Sequence, residues 1–131
     1  MTAEPTHDRG AVAVEFAIVL PVLVALILGI IAFGHAFHIQ SVLSNAARDA
    51  VRIVALDQGA DPAATARETA IAVAATSITL TDSQIAISPP TCADAGTGSR
   101  TATVTITYPL ELLGGIGDVT LTGKGTMRCN G

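Results

Sequence analysis

The chain has 131 residues, half of them hydrophobic and only 14% charged, with a formal net charge of −4. That length allows one modest domain, the apolar content excludes disorder as a description of the whole chain, and the acidic balance offers no basic field for nucleic acid. An ordinary soluble globule also fits poorly, because aromatics are 3% and tryptophan is absent.

Residues 1–10 form a short polar leader carrying Glu4, His7, Asp8 and Arg9, with Pro5 discouraging helix. The apolar segment begins at Ala11 and holds one charge, Glu15, near its start. From Phe16 to Gly34 no charged residue occurs, a run of 19. At helical rise that run reaches roughly 28 Å, about the thickness of a bilayer core. It predicts a transmembrane helix over residues 11–34, interrupted at Pro21, which frees the carbonyl of Ala17 and bends the helix.

The helix is expected to continue past the membrane. Ile39, Val42, Leu43, Ala46, Ala47, Ala50, Val51 and Val54 recur with the helical period, while Gln40, Ser44, Arg48, Asp49 and Arg52 fall elsewhere on the wheel. Nothing breaks this stripe until Gly59, so one helix is read from about Ala11 to Leu56. Asp61-Pro62 then supplies an N-cap followed by proline at the first helical position, opening a second helix over about 61–77. This helix is rich in alanine, with Ile71 and Ile78 as its expected anchors.

From Ser83 the period changes to two, and three strands are read at about 84–88, 101–108 and 119–129. In the second, Ala102, Val104, Ile106 and Tyr108 alternate with four threonines. In the third, Val119, Leu121, Met127 and Cys129 oppose Thr120, Thr122, Lys124, Thr126 and Arg128. One-sided alternation predicts an antiparallel sheet with one packed and one wet face, its last two strands joined by a turn at Gly114–Asp118. The fold class is α+β: a long N-terminal helix, a short second helix and a small three-stranded antiparallel sheet.

No residue pattern points to catalysis. There is no nucleophile–base pair, no HExxH and no Gly-x-Ser-x-Gly, and the glycine-rich Gly114–Gly117 lacks the lysine and strand–helix context of a phosphate loop. His35 and His38 stand one turn apart without a third ligand nearby, which reads as interfacial histidines rather than a metal site. No enzyme activity, cofactor or metal is expected. Arg48, Asp49 and Arg52 read as a solvated helix face, and the threonine face of the sheet as β propensity.

Glu15 is the most informative single residue, because a carboxylate costs roughly 2.5–3.5 kcal/mol at a bilayer centre. It either sits at the membrane edge, favoured by the helix dipole, or has a specific partner. Cleavage after Gly10 would make Ala11 the N-terminus and place a protonated amine four residues before Glu15.

The segment Arg9–Pro21 (RGAVAVEFAIVLP) resembles the TadE-like proteins of tight-adherence (Tad/Flp, type IVc) pili. The continuation Ser41–Arg52 (SVLSNAARDAVR) and the ending Val119–Arg128 (VTLTGKGTMR) resemble them too. The resemblance implies a minor pilin or pseudopilin with a pilin-like domain over residues 35–131. Gly10 and Ala11 would flank the cut of a prepilin peptidase, and Glu15, with Phe16 and Pro21, would act in assembly. Implied partners are a major Flp-type pilin, a second TadE-like minor pilin, the inner-membrane assembly platform and membrane lipid. The leader has Arg9 as its one basic side chain, so a cytoplasmic N-terminus and an extracytoplasmic C-terminal domain follow from the resemblance and not from charge counting.

Cys92 and Cys129 are the only cysteines, and their separation fits neither a redox nor a zinc motif. In an exported domain they are expected to form a disulfide tying the loop after the first strand to the chain's end. Two other readings share these features. A secreted binding module would lose the apolar segment by cleavage after Ala32-Phe33-Gly34, although that segment is longer than a usual signal peptide core. An uncleaved single-pass subunit of another secretion machine would keep it and make no use of Gly10.

Overall fold

The computed structural model describes residues 8–56, 59–93, 101–112, 115 and 117–129. Most of the leader, and Gly114 and Ile116 of the expected turn, lie outside the described residues. The chain divides into two compact units, Met1–Gly34 and His35–Gly131.

The element order is α1 (Asp8–Leu56), α2 (Pro62–Ala74), a 3-10 turn (Asp82–Gln84), β1 (Ile85–Ser88), β2 (Thr101–Glu111) and β3 (Asp118–Arg128). α1 runs for 49 residues and is helical on both sides of Pro21. It starts three residues before the expected Ala11, inside the segment read as leader. Pro5 precedes Asp8, so no proline stands within Asp8-Arg9-Gly10 to block the helical turn. α2 starts where the cap signal puts it: the Asp61 carboxylate accepts the Ala64 N–H at 3.0 Å, with Pro62 next in the chain. It ends at Ala74, short of the expected 77, and Ile78 follows in the connection.

The sheet is antiparallel in the order β1-β2-β3. β1 pairs along Ile85–Ser88, with Ile85 opposite Ile106 and Ser88 opposite Thr103. β2 and β3 form a hairpin in which Thr101 faces Arg128 and Glu111 faces Asp118. β2 runs three residues past the expected Tyr108 because pairing with β3 continues through Pro109, Leu110 and Glu111. The Ser88–Pro89 peptide is cis.

Every buried hydrophobic side chain among the described residues lies in the second unit. The largest side chains sealed almost completely from solvent are Ile39, Leu43 and Val54 of α1 and Val104 and Ile106 of β2. Alanines fill the rest: Ala46, Ala47 and Ala50 of α1, Ala66, Ala70 and Ala74 of α2, and Ala102 of β2 have no accessible surface. A core this poor in aromatics reaches close packing by bringing backbones together rather than by filling space with large side chains. The fully buried anchors of α2 are therefore its alanines with Pro62, and Ile71 packs against the core half-buried. Ile78 is buried as expected.

The alternation read for β3 holds, with Leu121, Gly123, Gly125 and Cys129 on the packed face and Thr120, Thr122, Lys124, Thr126 and Arg128 exposed, but the depth of burial differs along it. Val119 and Met127 are 41% and 37% exposed, and the buried positions of the strand are Gly123 and Gly125. A methyl on Gly123 would lie 2.5 Å from the carbonyl carbon and oxygen of Leu43, and one on Gly125 would overlap the Ala47 carbonyl. The helix backbone thus rests directly on the strand. Four helical residues span about 6 Å and two strand residues nearly the same, so Leu43/Ala47 and Gly123/Gly125 stay in step. Gln40 Nε2 completes the contact by donating to the Thr122 carbonyl at 2.7 Å.

Candidate functional site: the apolar half of α1 and the cross-linked end of the sheet

The first 24 residues after Gly10 contain no buried side chain in the structure of the single chain. Phe16 is 64% exposed, and Val12, Ile18, Val22, Leu26 and Ile30 are exposed to similar extents. Such a surface is an order of magnitude beyond a scattered apolar residue and needs an apolar environment. α1 is the one helix among the described residues that is long and apolar enough to cross a membrane.

Gly10, Ala11, Glu15, Phe16 and Pro21 all stand on this part of α1, and all are exposed. Ala11 and Glu15 are four residues apart and so lie above one another on one helix face. No other atom of the chain crowds Gly10. Glu15 is the one charged side chain between Gly10 and Gly34.

The other sequence-selected residues separate into those brought together and those left apart. Cys92, just beyond β1, and Cys129, at the end of β3, form a disulfide with a Cα–Cα distance of 5.4 Å. His35 and His38 do not converge with a third ligand. His38 Nε2 instead lies 3.2 Å from Ser77 Oγ, and no group of three potential metal ligands occurs among the described residues. Arg48, Asp49 and Arg52 are exposed, as a solvated face requires.

The positioning role of Gly123, Gly125 and Gln40 was missed in the sequence. A signal existed: glycine in a strand interior marks a place where another backbone approaches, and here two of them flank Lys124.

Residues 10–52 match the family model described as TadE-like protein. No curated protein and no solved structure matches the chain.

Proposed function

We propose that the chain, whose residues 10–52 match the TadE-like family model, is a structural, non-enzymatic subunit of a type IVc tight-adherence pilus. The observation that carries this reading is the bare apolar face of α1, on the segment that the family model matches. In the membrane, lipid covers that face. In the assembled state, helices of neighbouring pilins cover it, whether from a major Flp-type pilin or a second TadE-like subunit.

A prepilin peptidase cuts between Gly10 and Ala11 in this scheme. Both residues lie in the first turn of α1, where helices fray, so a modest local opening presents the bond. The new amine of Ala11, its own or a neighbour's, then pairs with Glu15 and sets the register between helices. An unpaired carboxylate in that setting is costly, so mispacked registers are disfavoured. The unit of residues 35–131 lies on the extracytoplasmic side, a placement that the disulfide supports, since such bonds persist in oxidising compartments.

One observation favours a second reading: the boundary between the two units falls at Gly34/His35, where signal-peptide cleavage would release a unit with its core intact. The mature N-terminus, measured by intact mass on protein from the native host, separates the readings. Ala11 is the expected result. A start at His35 would make the chain a secreted domain, and an intact Met1 or Thr2 would leave an uncleaved membrane anchor.

A further inference from the structure

Among the described residues β3 forms one side of the sheet, with β2 as its one strand neighbour. The hairpin register continues one pair beyond Glu111 and Asp118, because the Leu112 N–H donates to the Gly117 carbonyl at 3.0 Å. That bond marks a hydrogen-bonded pair, and such pairs recur at every second residue of an antiparallel ladder. Val119, Leu121, Gly123, Gly125 and Met127 therefore turn their N–H and C=O groups toward β2. Thr120, Thr122, Lys124, Thr126 and Arg128 turn theirs away from the sheet. The Thr122 carbonyl accepts from Gln40 Nε2 at 2.7 Å, as an outward-facing group can. Beyond it, among the described residues, no hydrogen bond occupies the outward backbone groups of Lys124, Thr126 and Arg128, and all three residues are exposed.

This stretch of edge is basic, in a chain of net charge −4. Lys124 and Arg128 stand on the exposed face of β3, and no carboxylate occurs from Val119 to Arg128. Gln40, Ser44 and Arg48 recur at intervals of four and so share one flank of α1, the flank from which Gln40 reaches the edge. Arg48 is level with Gly125, since its backbone nitrogen lies 3.0 Å from the place a methyl on that glycine would take. The one carboxylate on α1 from His35 to Leu56 is Asp49, at the next position round the helix. Arg48, Lys124 and Arg128 are exposed, and none of them is held in an ion pair.

We infer that the outer edge of β3 over Lys124–Arg128 takes an acidic, extended segment of a partner chain as an added strand. Main-chain hydrogen bonds to the outward groups supply the attachment, and Lys124, Arg128 and Arg48 select carboxylates. A second copy of this edge fits poorly. Antiparallel pairing of two β3 edges puts both α1 helices on one face of the joined sheet, each resting on its own β3. Neighbouring strands stand about 4.8 Å apart, whereas packed helix axes need about 8–10 Å. Parallel pairing sets Lys124 and Arg128 level with their own counterparts, which like charges oppose. The inference does not depend on the pilus reading, because the edge and the α1 flank beside it lie wholly within residues 35–131.

The test follows backbone amide exchange by NMR on the isotope-labelled full chain, disulfide intact, in uncharged detergent micelles. The probes are a short peptide of alternating glutamate and valine and its lysine–valine counterpart. The glutamate peptide is expected to slow exchange several-fold at residues 124, 126 and 128, while residues 123 and 125, already bonded to β2, stay as they were. The lysine peptide should leave all five unchanged. Lys124→Glu combined with Arg128→Glu should lose the response to the glutamate peptide and keep the protection at 123 and 125, which shows the sheet intact. Equal protection by both peptides would refute the acidic partner. Binding without slowed exchange at the alternate residues would reduce the site to surface charge and refute the added strand, as would no binding at all. Protection at 124, 126 and 128 without peptide, rising with protein concentration, would make a second copy the occupant and overturn the inference.

Discussion

At the scale of single residues, two glycines and one glutamate carry the most consequence. Gly123 and Gly125 meet the main chain of α1, not flexible side-chain ends, so an added methyl displaces a helix or a strand. Gly123→Ala and Gly125→Ala are each expected to destabilise the second unit by about 2 kcal/mol or more, the scale of overpacking a tight core. Lys124→Ala, exposed between them, should stay within about 0.5 kcal/mol. Thermal unfolding of the three variants decides the point, and equal melting temperatures would refute the backbone contact. On the proposed function Glu15 acts in assembly and not in folding, as it stands exposed in the unit that buries no side chain among the described residues. Glu15→Ala should leave membrane insertion unchanged and reduce piliation, read by fractionation and by electron microscopy of the same cells.

At the scale of elements, α2 and the disulfide are held by few interactions. The Asp61 carboxylate satisfies one free N–H at the helix start, so Asp61→Ala should cost about 1 kcal/mol. Ala70 has no accessible surface, and Ala70→Leu should cost about 1–3 kcal/mol through overpacking. A silent Ala70→Leu would mean that α2 is not seated in the core. The disulfide joins the exit of β1 to the end of β3 across a separation of 37 residues. β1 is only four residues long, so this link contributes much of what fixes that edge. Removing it should lower stability by about 2–5 kcal/mol. In Cys92→Ser, Cys129 should become alkylatable, whereas the unaltered protein should show no free thiol.

At the scale of the whole molecule, the chain joins a unit without a core to a unit that has one. All buried hydrophobic side chains among the described residues belong to residues 35–131. That segment, expressed alone under oxidising conditions, should be soluble, monomeric and cooperative in thermal unfolding, while the full chain should need detergent or lipid. A fragment that aggregates or melts without a transition would show that the apolar half of α1 contributes to the fold.

The elements themselves were legible because each rests on a local signal. Helix α1 follows from a charge-free run and a helical stripe, the start of α2 from Asp61-Pro62, and β2 from four threonines alternating with apolar residues. The likeness to the TadE-like family was legible too, since the match lies in the contiguous segment 10–52. Gly123 and Gly125 went unread because size was taken as a guide to burial, although they share the expected packed face with Leu121, and Ile71 packs half-buried against the core beside the alanines. In a core built on alanine and glycine, the buried positions are those that allow backbones to approach. That the helix runs parallel to β3, with Leu43 and Ala47 seated on Gly123 and Gly125, is a relation between segments some 80 residues apart. No local pattern encodes it. The sequence by itself determined which elements form and which of them is apolar enough for a membrane. Only the tertiary structure decided which faces meet, because that depends on the close approach of two backbones.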